Sequence, residues 1–245
     1  MTMFKISPLL AAVIVAAGST QVFAEDAESN KLWSGDAEFG YVDTSGNTQE
    51  TTVVGRAKAD REKDEWRYNI TFDSLNSKAS NQRAAEKYFL SNRLGYQYND
   101  NDYIFAYASY DDDRFSGFDY QATFASGWGR RLINNEAMQW DVEIGPGYRI
   151  SKIDDNTVGE DSDEAIVRAF TAYSWDFSET ANFSQSLNVE AGSDNTISKS
   201  ITALKVQIAG SLALKLSYSI KYTEEVPIAT KHADTETAVT VVYSF

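Results

Sequence analysis

After residue 32 the chain alternates apolar and polar side chains with a period of two, which places successive residues on opposite faces of extended strands. From Leu212 to Tyr222, the residues Leu212, Leu214, Leu216, Tyr218, Ile220 and Tyr222 oppose Ala213, Lys215, Ser217, Ser219 and Lys221. Trp66, Tyr68, Ile70 and Phe72 likewise oppose Arg67, Asn69, Thr71 and Asp73. Trp140, Val142, Ile144, Tyr148 and Ile150 oppose Asp141, Glu143, Gly145, Gly147 and Arg149, and the last residues repeat the pattern up to Phe245. Breakers separate these runs. Short polar turns stand near 61–64, 99–102, 133–137, 177–180 and 209–211, and longer acidic or Ser/Asn-rich loops near 43–48, 75–82, 111–118, 153–163, 193–199 and 225–234.

The two kinds of breaker alternate along the chain, as they do in a meander with tight turns at one rim and loops at the other. Twelve strands are predicted: 33–42, 48–60, 65–74, 83–98, 103–111, 118–131, 138–152, 163–175, 180–192, 200–209, 212–224 and 235–245. The fold class expected is all-β, an up-and-down transmembrane β-barrel of about 12 antiparallel strands. Its even strand number puts both ends of the domain at one rim.

A soluble β-sandwich also alternates, with its apolar faces turned inward. Three features favour the barrel instead. The polar faces carry Ser, Asn, Thr and Gly with scattered Arg and Asp, residues that suit a lumen. Aromatics gather near strand ends (Trp33, Trp66, Tyr96, Tyr98, Tyr103, Trp128, Trp140, Tyr173, Trp175, Tyr222, Tyr243), where amphipathic rings would form girdles at the two faces of a bilayer. The chain also closes on Val-Val-Tyr-Ser-Phe245, an alternating strand with a terminal aromatic. That ending resembles the signal by which the barrel assembly machinery recognises its clients.

Residues 1–24 have the layout of a cleaved signal peptide, with Lys5 as the positive end, an apolar stretch from Leu9 to Ala17, and Val22-Phe23-Ala24 before the cut. The apolar run is too short for a spanning helix. Residues 25–245 are then the barrel domain, and the cell outer membrane is the expected location. Acids outnumber bases 36 to 22 over 245 residues, for a net charge of -14. No basic stripe is offered to nucleic acid. The absence of cysteine excludes disulfide scaffolds, thiol nucleophiles and Cys-based metal centres.

Several segments resemble the salt-induced outer-membrane proteins, a Gram-negative family whose domain has no assigned function. These are Trp33-Ser-Gly-Asp-Ala-Glu-Phe-Gly40, Thr44-Ser-Gly-Asn-Thr48, Asp111-Asp-Asp-Arg-Phe-Ser-Gly-Phe-Asp119, Gly145-Pro-Gly-Tyr-Arg149 and the close from Asp234 to Phe245. The resemblance implies an outer-membrane barrel linked to osmotic or salt conditions, and it carries over no catalytic or binding residues.

Three kinds of chemistry can be sought in such a chain. A barrel hydrolase would pair a Ser nucleophile with an imidazole base, and the single histidine, His232, lies in the last predicted loop with no Ser beside it. The acidic runs Asp111–Asp113 and Asp154–Glu164 offer oxygen ligands for divalent cations. They lack the spacing and glycine turn of a calcium loop, and a solvated, self-repelling rim accounts for them as well.

The third kind is lumen charge. The alternation points Arg67, Arg93, Arg149 and Arg168 inward, together with Asp36, Glu38, Asp73, Asp141, Glu143 and Glu190. Unpaired arginines in a wet lumen would select anions, whereas arginines paired with carboxylates would crosslink it. Twelve strands enclose a lumen between filled eight-stranded barrels and open porins. The expected function is a narrow passive channel for small polar or charged solutes, with outer-membrane lipid and lipopolysaccharide as surroundings. No catalysis, cofactor or bound metal is expected. The alternative is a non-conducting barrel that stabilises the membrane under salt stress.

Overall fold

The computed structural model of the chain describes residues 33–44, 50–79, 82–114, 116–153, 161–226 and 231–245. The leader at 1–24, the domain start at 25 and parts of the loops near 45–49, 154–160 and 227–230 lie outside the described residues. Twelve strands follow in order: β1 (Ser34–Thr44), β2 (Glu50–Lys63), β3 (Trp66–Ala79), β4 (Gln82–Gln97), β5 (Asp102–Asp113), β6 (Phe118–Asn134), β7 (Met138–Ile153), β8 (Ser162–Ser178), β9 (Ala181–Gly192), β10 (Thr196–Ala209), β11 (Leu212–Thr223) and β12 (Ala233–Ser244). Each pairs antiparallel with its neighbours in sequence, and β1 pairs with β12 to close a barrel. Closure leaves no full-length sheet edge, which a strand in hydrocarbon could not tolerate.

The period-two pattern decides which face each residue takes. Phe39 at 59%, Ile144 at 52% and Val241 at 49% are among many large apolar side chains exposed on the outer wall. A band of that extent on a single chain has hydrocarbon as its natural medium. Aromatic pairs mark the turn rim: Trp66 with Tyr96 at 5.0 Å and Trp140 with Tyr173 at 6.4 Å. Tyr110 and Tyr120 stack at 5.4 Å near the opposite rim.

Closure depends on the last residue. Gly35 and Phe245 exchange both backbone hydrogen bonds, at 3.1 and 3.0 Å, and the Phe245 ring lies over the glycine. A Cβ at Gly35 would stand 2.8 Å from that ring and 2.2 Å from the Lys58 carbonyl oxygen. Deleting Phe245 removes two ladder bonds and this ring contact. The expected loss is about 2 kcal/mol at roughly one kcal/mol per bond, read by urea unfolding of the refolded barrel.

Strand number and order match the pattern, but several strands run longer than it predicts. β3 reaches Ala79 and β4 starts at Gln82, so most of the loop expected over 75–82 is strand. β5 extends through Asp113, so Asp111–Asp113 are strand rather than loop. β10 begins at Thr196, four residues before its predicted start. At the loop rim both faces of a strand are polar, so the alternation disappears while the backbone ladder continues. Tyr103 is a further correction. It is buried at 0% exposure inside the lumen rather than in a girdle, because its register partners are Gln97 and Gly129 on the inward face.

Candidate functional site in the barrel lumen

The inward positions of β3 to β9 build one wall of charge. Glu143 on β7 is its centre, with a side chain at 0% exposure. One carboxylate oxygen takes the Arg93 guanidinium and the Tyr103 hydroxyl, the latter at 3.2 Å. The other oxygen takes Arg168 Nη1 at 2.9 Å. Arg93 Nη2 also donates to the Tyr103 hydroxyl at 3.0 Å, and the Arg168 guanidinium stacks 3.9 Å from the centre of the Tyr107 ring. Tyr103 fits because β6 carries Gly129 opposite it. A Cβ there would come within 2.2 Å of the Tyr103 ring.

The same wall continues in both directions. Arg67 reaches Asp141 from β3 to β7 at 3.2 Å. Arg149, at 1% exposure, binds Glu164 and the Asn195 carbonyl and lies 3.7 Å from Glu190. Glu190 accepts further bonds from Thr123 at 2.9 Å and Asn188 at 3.0 Å. Arg131 joins Glu62 at 2.6 Å near the turn rim.

A second wall runs over β10, β11, β12, β1 and β2. Lys205 reaches Asp36 at 3.2 Å and Lys215 reaches Glu38 at 2.6 Å. Arg56 binds Glu236 and lies 4.0 Å from Asp73. Arg67, Arg93, Arg149 and Arg168, with Asp36, Glu38, Asp73, Asp141, Glu143 and Glu190, lie on these two walls. Arg67, Arg93, Arg149 and Arg168 form no ladder of free cations, because each meets a carboxylate.

Two contacts cross the lumen from wall to wall near the loop rim. β4 and β10 lie opposite in the ring, as do β5 and β11. Lys199 of β10 extends its Nζ to 4.2 Å from the centre of the Phe89 ring on β4. Lys221 of β11 bonds Asp111 of β5 at 2.7 Å and Gln121 of β6 at 3.3 Å. Lys199 and Lys221 are themselves register partners, and so are Lys205 and Lys215. Like charges placed directly opposite on adjacent strands repel. Lys205 and Lys215 each fold back onto a carboxylate of β1, on their own side of the barrel. Lys199 and Lys221 instead reach across to β4 and β5. Among the described residues no carboxylate forms an ion pair with Lys199, which rests on the ring.

The lysines were legible only in part. Lys215 and Lys221 sit on the polar face of a clear strand, but nothing local tells that one spans the lumen and the other does not. Asp111, expected in an acidic rim, is an inward strand residue held by Lys221, and Glu164 is buried with Arg149. Of that second run Asp154, Asp155 and Glu160 lie outside the described residues, and Asp161 accepts from the Ile153 amide at 3.0 Å. Among the described residues no group of three or more acidic or imidazole side chains is arranged to hold a metal ion. His232 donates from Nδ1 to the Thr223 carbonyl at 3.0 Å and stacks on Tyr222 at 6.1 Å.

Known proteins give this architecture a context. The NanC porin has a TM-score of 0.53 at 9% identity, over 85% of this chain and 98% of that one. An outer-membrane channel from Pseudomonas putida F1 gives a TM-score of 0.47 at 11% identity, over 93% and 100%. At 9% identity the likeness to the NanC porin concerns the fold alone. In sequence, the uncharacterized protein YdiY of Escherichia coli K12 is 28% identical over 233 residues, covering 94% of this chain and 91% of its own. The family model DUF481, described as a protein of unknown function, matches residues 37–245, and the chain belongs to that family.

Proposed function

We propose that the protein is an outer-membrane β-barrel that passes small polar or charged solutes by diffusion through a narrow lumen. Lys199 and Lys221, set against Phe89 and Asp111, form its constriction. The observation that carries this reading is the pair of wall-to-wall contacts near the loop rim. Each reaches across through one flexible lysine that a passing solute can displace, Lys199 resting on a ring and Lys221 on Asp111 and Gln121, whereas Glu143 deeper in the lumen is held by two arginines and a tyrosine. The apolar outer band, the aromatic bands at both rims and the fold shared with a porin support the membrane setting. Lipid and lipopolysaccharide are then its surroundings, and the assembly machinery reads the last strand through Phe245. The reading includes no catalysis.

The link to salt conditions has a physical candidate. The Lys221–Asp111 pair has side chains 15% and 24% exposed, so dissolved ions reach it and screen it. The second reading, a non-conducting barrel that stiffens the membrane, is favoured by the pairing of nearly all lumen charges.

Planar-bilayer recording of the refolded protein separates the two. Small current steps are expected from the wild type, and clearly larger ones from the Lys199→Ala, Lys221→Ala double variant. Flat traces from both proteins leave the structural barrel as the function.

A further inference from the structure

The lumen holds two lysine pairs on the same two strands, and carboxylates match only one of them in full. Lys205 and Lys215 are register partners on β10 and β11, and each has its own acid, Asp36 at 3.2 Å and Glu38 at 2.6 Å. Lys199 and Lys221 are register partners nearer the loop rim, and their only ion-paired acid is Asp111, bound to Lys221 at 2.7 Å. Of the other inward acids near that rim, Asp113 is held by Lys87 at 2.7 Å, and Asp234 stands beside Lys221 as its partner on β12. Among the described residues Lys199 makes neither an ion pair nor a hydrogen bond, and its Nζ rests 4.2 Å from the centre of the Phe89 ring.

The strand on the other side of Lys199 has the opposite deficit. Asn188 of β9 is the register partner of Lys199 there. Its amide nitrogen donates to Glu190 at 3.0 Å, while its Oδ1 is buried and accepts no hydrogen bond among the described residues. A buried acceptor without a donor carries an uncompensated cost of desolvation. An ammonium without an anion and an acceptor without a hydrogen thus stand side by side on the inner wall, facing an aromatic ring.

We infer that Lys199 and Asn188 form a docking site for small hydroxylated organic anions, with the solute's carboxylate on Lys199 and its hydroxyl donating to Asn188 Oδ1. The inference rests on the channel proposed above and names the class of solute it passes. The ring is the weaker partner for the ammonium, since a cation over a wet aromatic face gains less than a charge-assisted hydrogen bond to a carboxylate. An arriving carboxylate therefore draws Lys199 off Phe89 and widens the constriction as the solute enters. An anion beside both lysines also relieves the repulsion between Lys199 and Lys221. A solvent-exposed ion pair is weak, so the solute leaves as readily as conduction requires.

Reversal potentials across planar bilayers test the site. Under a potassium chloride gradient the wild type is expected to favour chloride over potassium, Lys199→Gln to lose that preference, and Lys199→Arg to keep it. Potassium lactate is then set against potassium propionate, which lacks the hydroxyl. Lactate is expected to be about fivefold more permeant, the discrimination that one hydrogen bond supplies. Asn188→Leu is expected to abolish that difference. Current steps without anion preference, or with a preference that survives Lys199→Gln, overturn the docking site and leave the channel standing. Equal passage of lactate and propionate through the wild type overturns the hydroxylated class of solute. Flat traces from every protein overturn the channel itself, and the site with it.

Discussion

Replacing Glu143 with glutamine is expected to lower the unfolding free energy by about 3–5 kcal/mol, the range found when one partner of a buried charge pair is removed. The change keeps the side chain's shape, removes its charge and turns one of its two acceptor oxygens into a donor. Arg93 and Arg168 then remain on the inner wall with no carboxylate between them, sharing the one amide oxygen and, for Arg93, the Tyr103 hydroxyl. Arg168 keeps its stack on Tyr107, which recovers part of the loss. Urea unfolding in vesicles, followed by tryptophan fluorescence, measures the effect. The converse variant is informative. Exchanging Glu143, Arg93 and Arg168 together for apolar residues of similar size is expected to cost far less, because no charge is left unpaired. If Glu143→Gln is as stable as the wild type, water reaches the pair and the wall is not dry.

The second large effect is expected at Arg149. Its guanidinium ties three parts of the barrel: Glu164 on β8, the Glu190 carbonyl on β9 at 3.2 Å, and the Asn195 carbonyl in the turn after β9 at 2.6 Å. Glu164 completes the knot by accepting from the Asp194 amide at 2.8 Å. Arg149→Met strands two carboxylates. Both keep other donors, so the expected loss is at the low end of the same range, about 3 kcal/mol. The distinguishing readout is local. Amide exchange at Asp194 and Asn195 is expected to speed up more than exchange in β11, which Arg149 does not touch. Equal acceleration everywhere would mean that Arg149 supports the barrel only globally.

These residues also show how far a linear pattern reads. The inward placement of Arg149, Arg168 and Glu143 follows from alternation alone, because each sits between outward apolar neighbours within one strand. Their partners follow less directly. Arg93 meets Glu143 across three strands, and Lys221 meets Asp111 across the full ring, so both depend on stagger and curvature that no single strand encodes. Tyr103 was misplaced because an aromatic near a strand end suggests a girdle, while the glycine that admits it inward lies on another strand. The ends of β3, β5 and β10 were missed where both faces turn polar and only the backbone ladder continues. The β1–β12 ladder ends at Phe39 and Val241, beyond which Val42 and Asp43 in β1 and Thr235, Glu236 and Thr237 in β12 no longer alternate apolar with polar.

The closure at Phe245 has a consequence for how the chain folds. Every other ladder joins strands adjacent in sequence, so each hairpin can form locally and early. The β1–β12 ladder joins residues 35 and 245, the two ends of the barrel, and bears the largest loop-closure entropy in the molecule. It is also the shortest ladder in the ring. Ring closure is therefore expected to be the last step of folding, and before it the molecule is a curled sheet with two free edges.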